Sequence, residues 1–146
     1  MKTIKNILNR LFAFGIWAAN DTLVGSHPDG VINCVAGGTI ARNSLVSFSN
    51  GKVIACAAKA RPLGIAQDTV IADEGVAIKL LGSATGTVVG IASETIAQGD
   101  ALYEAANGKV GKTSNGYFIG YALDSAVADG KVEIQHCVAS PVASVA

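Results

Sequence analysis

A chain of 146 residues and 14.7 kDa is long enough for one ordinary core and short of the length at which cores divide, so one folded domain with short arms is expected. Half of its residues are hydrophobic and only 15% are charged, which excludes the charge-rich, apolar-poor disordered class. Lys+Arg 11 cancels Asp+Glu 11, so the basic field that phosphate binding relies on is missing and nucleic acid is not an expected partner.

Residues 1–20 differ from all that follows. Ile4, Ile7, Leu8 and Leu11 follow helical spacing while Lys2, Lys5 and Arg10 fall elsewhere on the turn, and Phe14, Ile16 and Trp17 extend the apolar run. The pattern predicts an amphipathic helical arm. The run from Leu11 to Ala19 is far short of the roughly 20 residues that span a bilayer, so no membrane partner is expected. A secretory signal is disfavoured too, because cleavage after Ala19 or Ala18 would put Trp17 or Ile16 where a small residue is needed.

From about Val31 the chain reads as short strands punctuated by Gly, Asn and Asp. Val76, Ile78 and Leu80 alternate with Ala77, Lys79 and Leu81, and Val132, Ile134 and His136 alternate with Lys131, Glu133 and Gln135. Period two predicts half-buried strands. The two stretches lie 56 positions apart, an offset that recurs at Thr39-Ile40-Ala41 with Thr95-Ile96-Ala97, Gly64 with Gly120, Asp68 with Asp124, and Ala72-Asp73 with Ala128-Asp129. At an offset of 57, Leu45 matches Leu102 and Asn50-Gly51-Lys52-Val53 matches Asn107-Gly108-Lys109-Val110. Two duplicated units follow, at about 30–81 and 86–137, inside a β domain of 21–138 with a tail of 139–146. Each carries an Asn-Gly pair between apolar stretches, the strongest short hairpin signal. The fold class is therefore all-β, a small β-sandwich or barrel in which the two halves pack together, preceded by the helical arm. Its core should include Val46, Val53, Ile65, Val76, Ile78, Leu80, Leu102, Val110, Ile119, Val132 and Ile134.

Several patterns imitate chemistry. Ala106 to Gly111-Lys112-Thr113 fits a relaxed phosphate-binding loop, but β-like residues follow where a helix N-terminus would have to supply amides. Ser49-Asn50-Gly51-Lys52 fits Ser-x-x-Lys, yet straddles a hairpin where a helical turn is required. His27, His136 and the cysteines Cys34, Cys56 and Cys137 are scattered without short ligand pairs, so neither a metal site nor a disulfide framework is expected. Asp73-Glu74, Asp68 and Asp124 read as turn residues. Scarce aromatics, at 5%, and 17 glycines argue for close backbone packing over a deep ligand pocket. No catalytic residue, cofactor or small-molecule substrate is expected.

Gly99-Asp100-Ala101-Leu102-Tyr103, the Asn-Gly hairpin, Ile119-Gly120-Tyr121-Ala122-Leu123-Asp124 and Gly130-Lys131-Val132-Glu133-Ile134 together resemble the capsid decoration, or cement, proteins of tailed phages. Pro62-Leu63-Gly64-Ile65-Ala66 and residues 76–82 look like that family's earlier half. The resemblance implies a β-rich, non-enzymatic protein, made in the host cytoplasm, that binds the major capsid protein shell on the virion surface as a homotrimer. The N-terminal arm departs from the family pattern. Candidate partner-binding residues are Ile7, Leu11, Phe14 and Trp17 on the arm, with Leu81, His136 and Cys137 at strand positions expected to face outward. The alternative is a trimeric phage fibre or adhesin that binds a host receptor or glycan, for which Trp17, Tyr103, Tyr117 and Tyr121 are the available aromatics.

Overall fold

Asn50 and Gly51 both take positive φ, 50° and 76°, and Ser49 pairs with Lys52, so the first Asn-Gly pair closes a two-residue hairpin. Asn107 and Gly108 repeat the conformation at 60° and 72° inside a longer connection. These hairpins belong to a computed structural model that describes residues 27–114 and 116–142. The predicted helical arm, with Ile7, Leu11, Phe14 and Trp17, lies outside the described residues.

Ten strands follow in order: β1 (Val31–Val35), β2 (Leu45–Ser49), β3 (Lys52–Ala55), β4 (Gly64–Ala66), β5 (Gly75–Leu80), β6 (Val88–Ile91), β7 (Ala101–Glu104), β8 (Val110–Gly111), β9 (Tyr117–Ala122) and β10 (Lys131–Pro141). They form two five-stranded antiparallel sheets ordered β1-β5-β4-β2-β3 and β6-β10-β9-β7-β8. The second order is the first with every strand five places later. Strand β10 runs to Pro141, beyond the boundary at which a tail was expected.

Each sheet closes on itself. A parallel bridge joins Ala36 to Val53, with the Gly37 N–H donating to the Val53 carbonyl at 2.7 Å, and so links the ends of the outer strands β1 and β3. Ala92 and Val110 do the same for β6 and β8, where the Ser93 N–H donates to Val110 at 2.8 Å. Closure removes most of the exposed sheet edge. Close approach of the strands depends on matched glycines: a Cβ at Gly64 would overlap the Lys79 carbonyl, and one at Gly120, where φ is +147°, the Gln135 carbonyl.

The architecture is thus two small closed sheets in tandem, and the expected single sandwich or barrel built from both halves is corrected. Val46, Val53, Val70, Val76 and Ile78 fill the first. Leu102, Val110, Ile119, Val132 and Ile134 fill the second, and that cluster continues into the junction through Leu45, Cys56, Ile65 and Leu81 of the first unit. At roughly 1.5–3 kcal/mol per buried aliphatic side chain, the junction residues stabilise the pairing substantially.

Strand pairing also moves the inserted residue. Leu45 pairs with Ile65 and Val46 with Gly64, whereas Ala101 pairs with Tyr121 and Leu102 with Gly120. Leu102 is therefore the counterpart of Val46, at an offset of 56, and the expected match of Leu45 with Leu102 is corrected. Phe48 pairs with Val53 and Glu104 with Val110, so the extra residue lies in the hairpin loop and Glu104 stands where the first unit has Phe48.

Candidate functional site

A buried carboxylate and several backbone groups meet at the junction of the two units. Alternation along β7 puts Glu104 on the face of Leu102, and it is only 4% exposed. One carboxylate oxygen accepts from the Lys59 N–H at 2.8 Å and the other from the Tyr117 N–H at 2.5 Å, so it ties the first unit's β3–β4 loop to the second unit. Gly116 makes room, since a Cβ there would overlap the carboxylate. The Gly108 N–H donates to the Cys56 carbonyl at 2.8 Å, a second bond across the junction. Charge-assisted acceptance by a buried carboxylate is strong because the alternative is an unsatisfied donor.

Burial, and then the nearby Glu104 charge, push the Cys56 thiol up to about 11, with a Ser47 hydrogen bond opposing them. Burial also raises Cys34 and Cys137. None has the lowered pKa of a nucleophilic thiol.

The junction accounts for two predicted contact residues. Leu81 was expected on an exposed face and is 5% exposed. It follows the end of β5, gives its N–H to the Leu63 carbonyl at 3.1 Å and turns into the junction cluster, while Leu80, expected in the core, is half-buried. His136 holds the connection between units: Nδ1 accepts from the Gly82 N–H at 2.8 Å and Nε2 lies 2.9 Å from the Gly86 carbonyl. Cys137 is half-buried beside it.

An open groove of about 530 Å³ lies beside the junction, where Phe48, Arg61, Leu63, Leu80 and Ser83 face Val138 and Ala139 of β10. Phe48 is 61% and Val138 58% exposed. On the second unit an aromatic face shows instead, with Phe118 packed edge-on against Tyr103 at 5.8 Å and against Tyr121 at 5.2 Å between ring centroids. Tyr121 is 50% exposed. Sequence reasoning missed Glu104 and the groove. A carboxylate in phase with Leu102 was the available signal.

The look-alike motifs resolve into turn chemistry. In the Gly111-Lys112-Thr113 segment the Lys112 N–H donates to Glu94 at 2.8 Å, so a side chain of this protein occupies an amide that a phosphate would need. Lys52 of Ser49-x-x-Lys52 pairs with Asp73 at 2.6 Å, and Lys109 with Asp129 at 2.5 Å in the second unit. Asp124 accepts from the Glu133 N–H at 2.9 Å, and Glu74 from the Ile71 N–H at 3.2 Å. Among the described residues no group of three or more His, Cys, Asp or Glu is placed to hold a metal ion.

Comparison with known proteins bears on this geometry. A family model described as phage cement protein matches residues 13–137. No curated protein sequence matches the chain. Among solved structures, the crystal structure of the head fiber gp8.5 N base of bacteriophage phi29 is similar at a TM-score of 0.62 and 20% identity, covering 75% of this chain and 95% of that one. That similarity is a likeness of fold.

Proposed function

The chain belongs to the phage cement protein family, whose members are structural proteins of the phage virion, and on that premise we propose that it decorates the outer surface of the capsid and stabilises the shell by binding the major capsid protein. The family match across residues 13–137 carries this reading. The geometry supports it: two rigid, self-closed sheets stand side by side, and their outer surfaces display apolar and aromatic side chains without a catalytic grouping among the described residues. Small side chains and tight turns lose little entropy when a partner immobilises them. In this proposal the protein is a homotrimer on the virion surface, without nucleic acid, membrane, cofactor or small-molecule substrate. Ile7, Leu11, Phe14 and Trp17 of the N-terminal segment add to attachment, while His136 acts by holding the connection between units.

The test is co-sedimentation of the full-length protein with purified undecorated capsids. Saturable binding that raises the capsid's melting temperature is expected, and absence of binding at any concentration overturns the reading. Deleting residues 2–19 should keep the cooperative β-type melt and weaken attachment by orders of magnitude. A second reading, a fibre or adhesin base, draws on the head fibre name of the structural neighbour and on exposed Tyr121. It gains if the protein binds host cells or glycans and Tyr121→Ala abolishes that binding.

A further inference from the structure

The junction between the two units is a template for a contact between two copies of the chain. At the junction the first unit presents Leu45, Cys56 and Ile65 outward, and the second unit covers them. The second unit receives them on a face that contains Glu104, Tyr117 and Ala139, all buried or packed against the junction cluster. Strand pairing, and beyond the strands the 56-residue offset, give counterparts on the other unit. The counterparts of Leu45 and Ile65 are Ala101 and Tyr121; Phe118 packs edge-on against one side of the Tyr121 ring, and the ring is still 50% exposed. The counterpart of Glu104 is Phe48 by strand pairing, those of Tyr117 and Ala139 are Arg61 and Ser83 by the 56-residue offset, and all three line the open groove.

Among the described residues one face of each kind is left open: a donor face on the second unit and an acceptor face on the first. The substitutions at these two open faces are chemically matched. Where the internal junction puts Ile65 and Glu104, the open faces carry Tyr121 and Phe48. Phe48 is the sole Phe, Tyr or Trp in residues 27–81, and it stands on the groove with Val138 exposed opposite. Phe48 and Val138 are exposed on the same groove, and neighbouring exposed apolar groups suit a contact surface. Aromatic pairs contribute beyond their buried area, and Arg61 on the groove wall suits the face of a tyrosine ring.

We propose that copies of this chain associate head to tail, the Tyr121 face of one seated in the Phe48 groove of the next. This deepens the homotrimer of the preceding reading, on which it rests, by naming its interface. A heterologous contact of this kind forms a ring when its rotation closes, and three copies then bury every donor and acceptor face.

The experiment uses full-length protein, with light scattering or sedimentation at micromolar concentration. The wild type is expected as a trimer, and Phe48→Asp and Tyr121→Asp are each expected as folded monomers. Mixed in equal amounts, the two variants are expected to form a heterodimer and nothing larger, because the mixture holds one intact donor face and one intact acceptor face. Both residues are well exposed, so the β-type melt should persist, and Val138→Asp replaces Phe48→Asp if that variant melts early. A trimer that survives both substitutions keeps the trimer reading and overturns this interface. A monomeric wild type overturns both. Variants that become monomeric yet ignore each other on mixing show that the two faces do not meet, and also overturn the proposal.

Discussion

Phe48 and Glu104 occupy the same place in two closed sheets of the same strand order, and their fates are opposite. Phe48 is largely exposed on a groove, whereas Glu104 is buried and holds two backbone N–H groups from different parts of the chain. The difference separates two kinds of residue in a repeated structure. Those inside each sheet are set by the unit itself and change little between copies, as Val46 and Leu102 or Val53 and Val110 show. Those at the ends and outer faces are set by what the unit is placed against. A repeated scaffold with divergent faces makes an ordered pair instead of an indefinite stack.

The largest effect should come from breaking what the two units share. Gly64→Ala and Gly120→Ala each force a Cβ into a neighbouring strand's carbonyl, and each should cost about 3 kcal/mol by urea denaturation. Both meet a carbonyl at the same close approach, and Gly120→Ala should cost the more because its positive φ adds backbone strain; a mild effect at either would break the equivalence of the two approaches.

Next comes the divergent pair itself. Glu104→Ala leaves the Lys59 and Tyr117 N–H groups without their acceptor and should cost about 2–3 kcal/mol, while Phe48→Ala at the matching place should stay within about 0.5 kcal/mol in the dissociated protein. Equal costs would mean that the junction does not depend on the carboxylate.

A pH scan sharpens the same contrast. The folded state raises the Cys56 thiol from its ordinary 9.0 to about 11, so the unfolded chain gives up this proton first. The contribution is complete below pH 9 and is lost as pH rises towards 11. The melting temperature should fall across that window, less steeply in Cys56→Ala; the second unit carries Thr113 at the matching position, and the residual slope belongs to Cys34 and Cys137, which burial also raises.

The smallest effects belong to the matched surface ion pairs. Lys52→Ala and Lys109→Ala should each cost less than about 1 kcal/mol, since both pairs are solvent-accessible. Lys112→Ala should change stability by less than about 0.5 kcal/mol, and calorimetry should detect no ATP binding in either form.

Much of each unit was legible residue by residue. Alternation identified β5 and β10, and Asn50-Gly51 announced its hairpin, because side-chain period and turn conformation are local properties. The loop insertion was placed too early, since Leu45 and Leu102 are both leucines and only strand pairing distinguishes an inward Val46 from an outward Leu45. Leu80 and Leu81 exchanged roles for a related reason. Alternation holds within a strand, and β5 ends at Leu80, after which the chain turns into the junction.

The sequence by itself determined the strands, the turns and the doubled pattern, because these depend on contacts between residues close along the chain or on the two-residue repeat of a pleated strand. Only the tertiary structure decided that each five-stranded sheet closes on its own, that Leu45, Ile65 and Leu81 are buried, and that Phe48 and Tyr121 stay exposed. Those outcomes depend on which outer surfaces meet, and an outward Leu45 and an outward Tyr121 obey the same alternation until a second unit is laid against one of them.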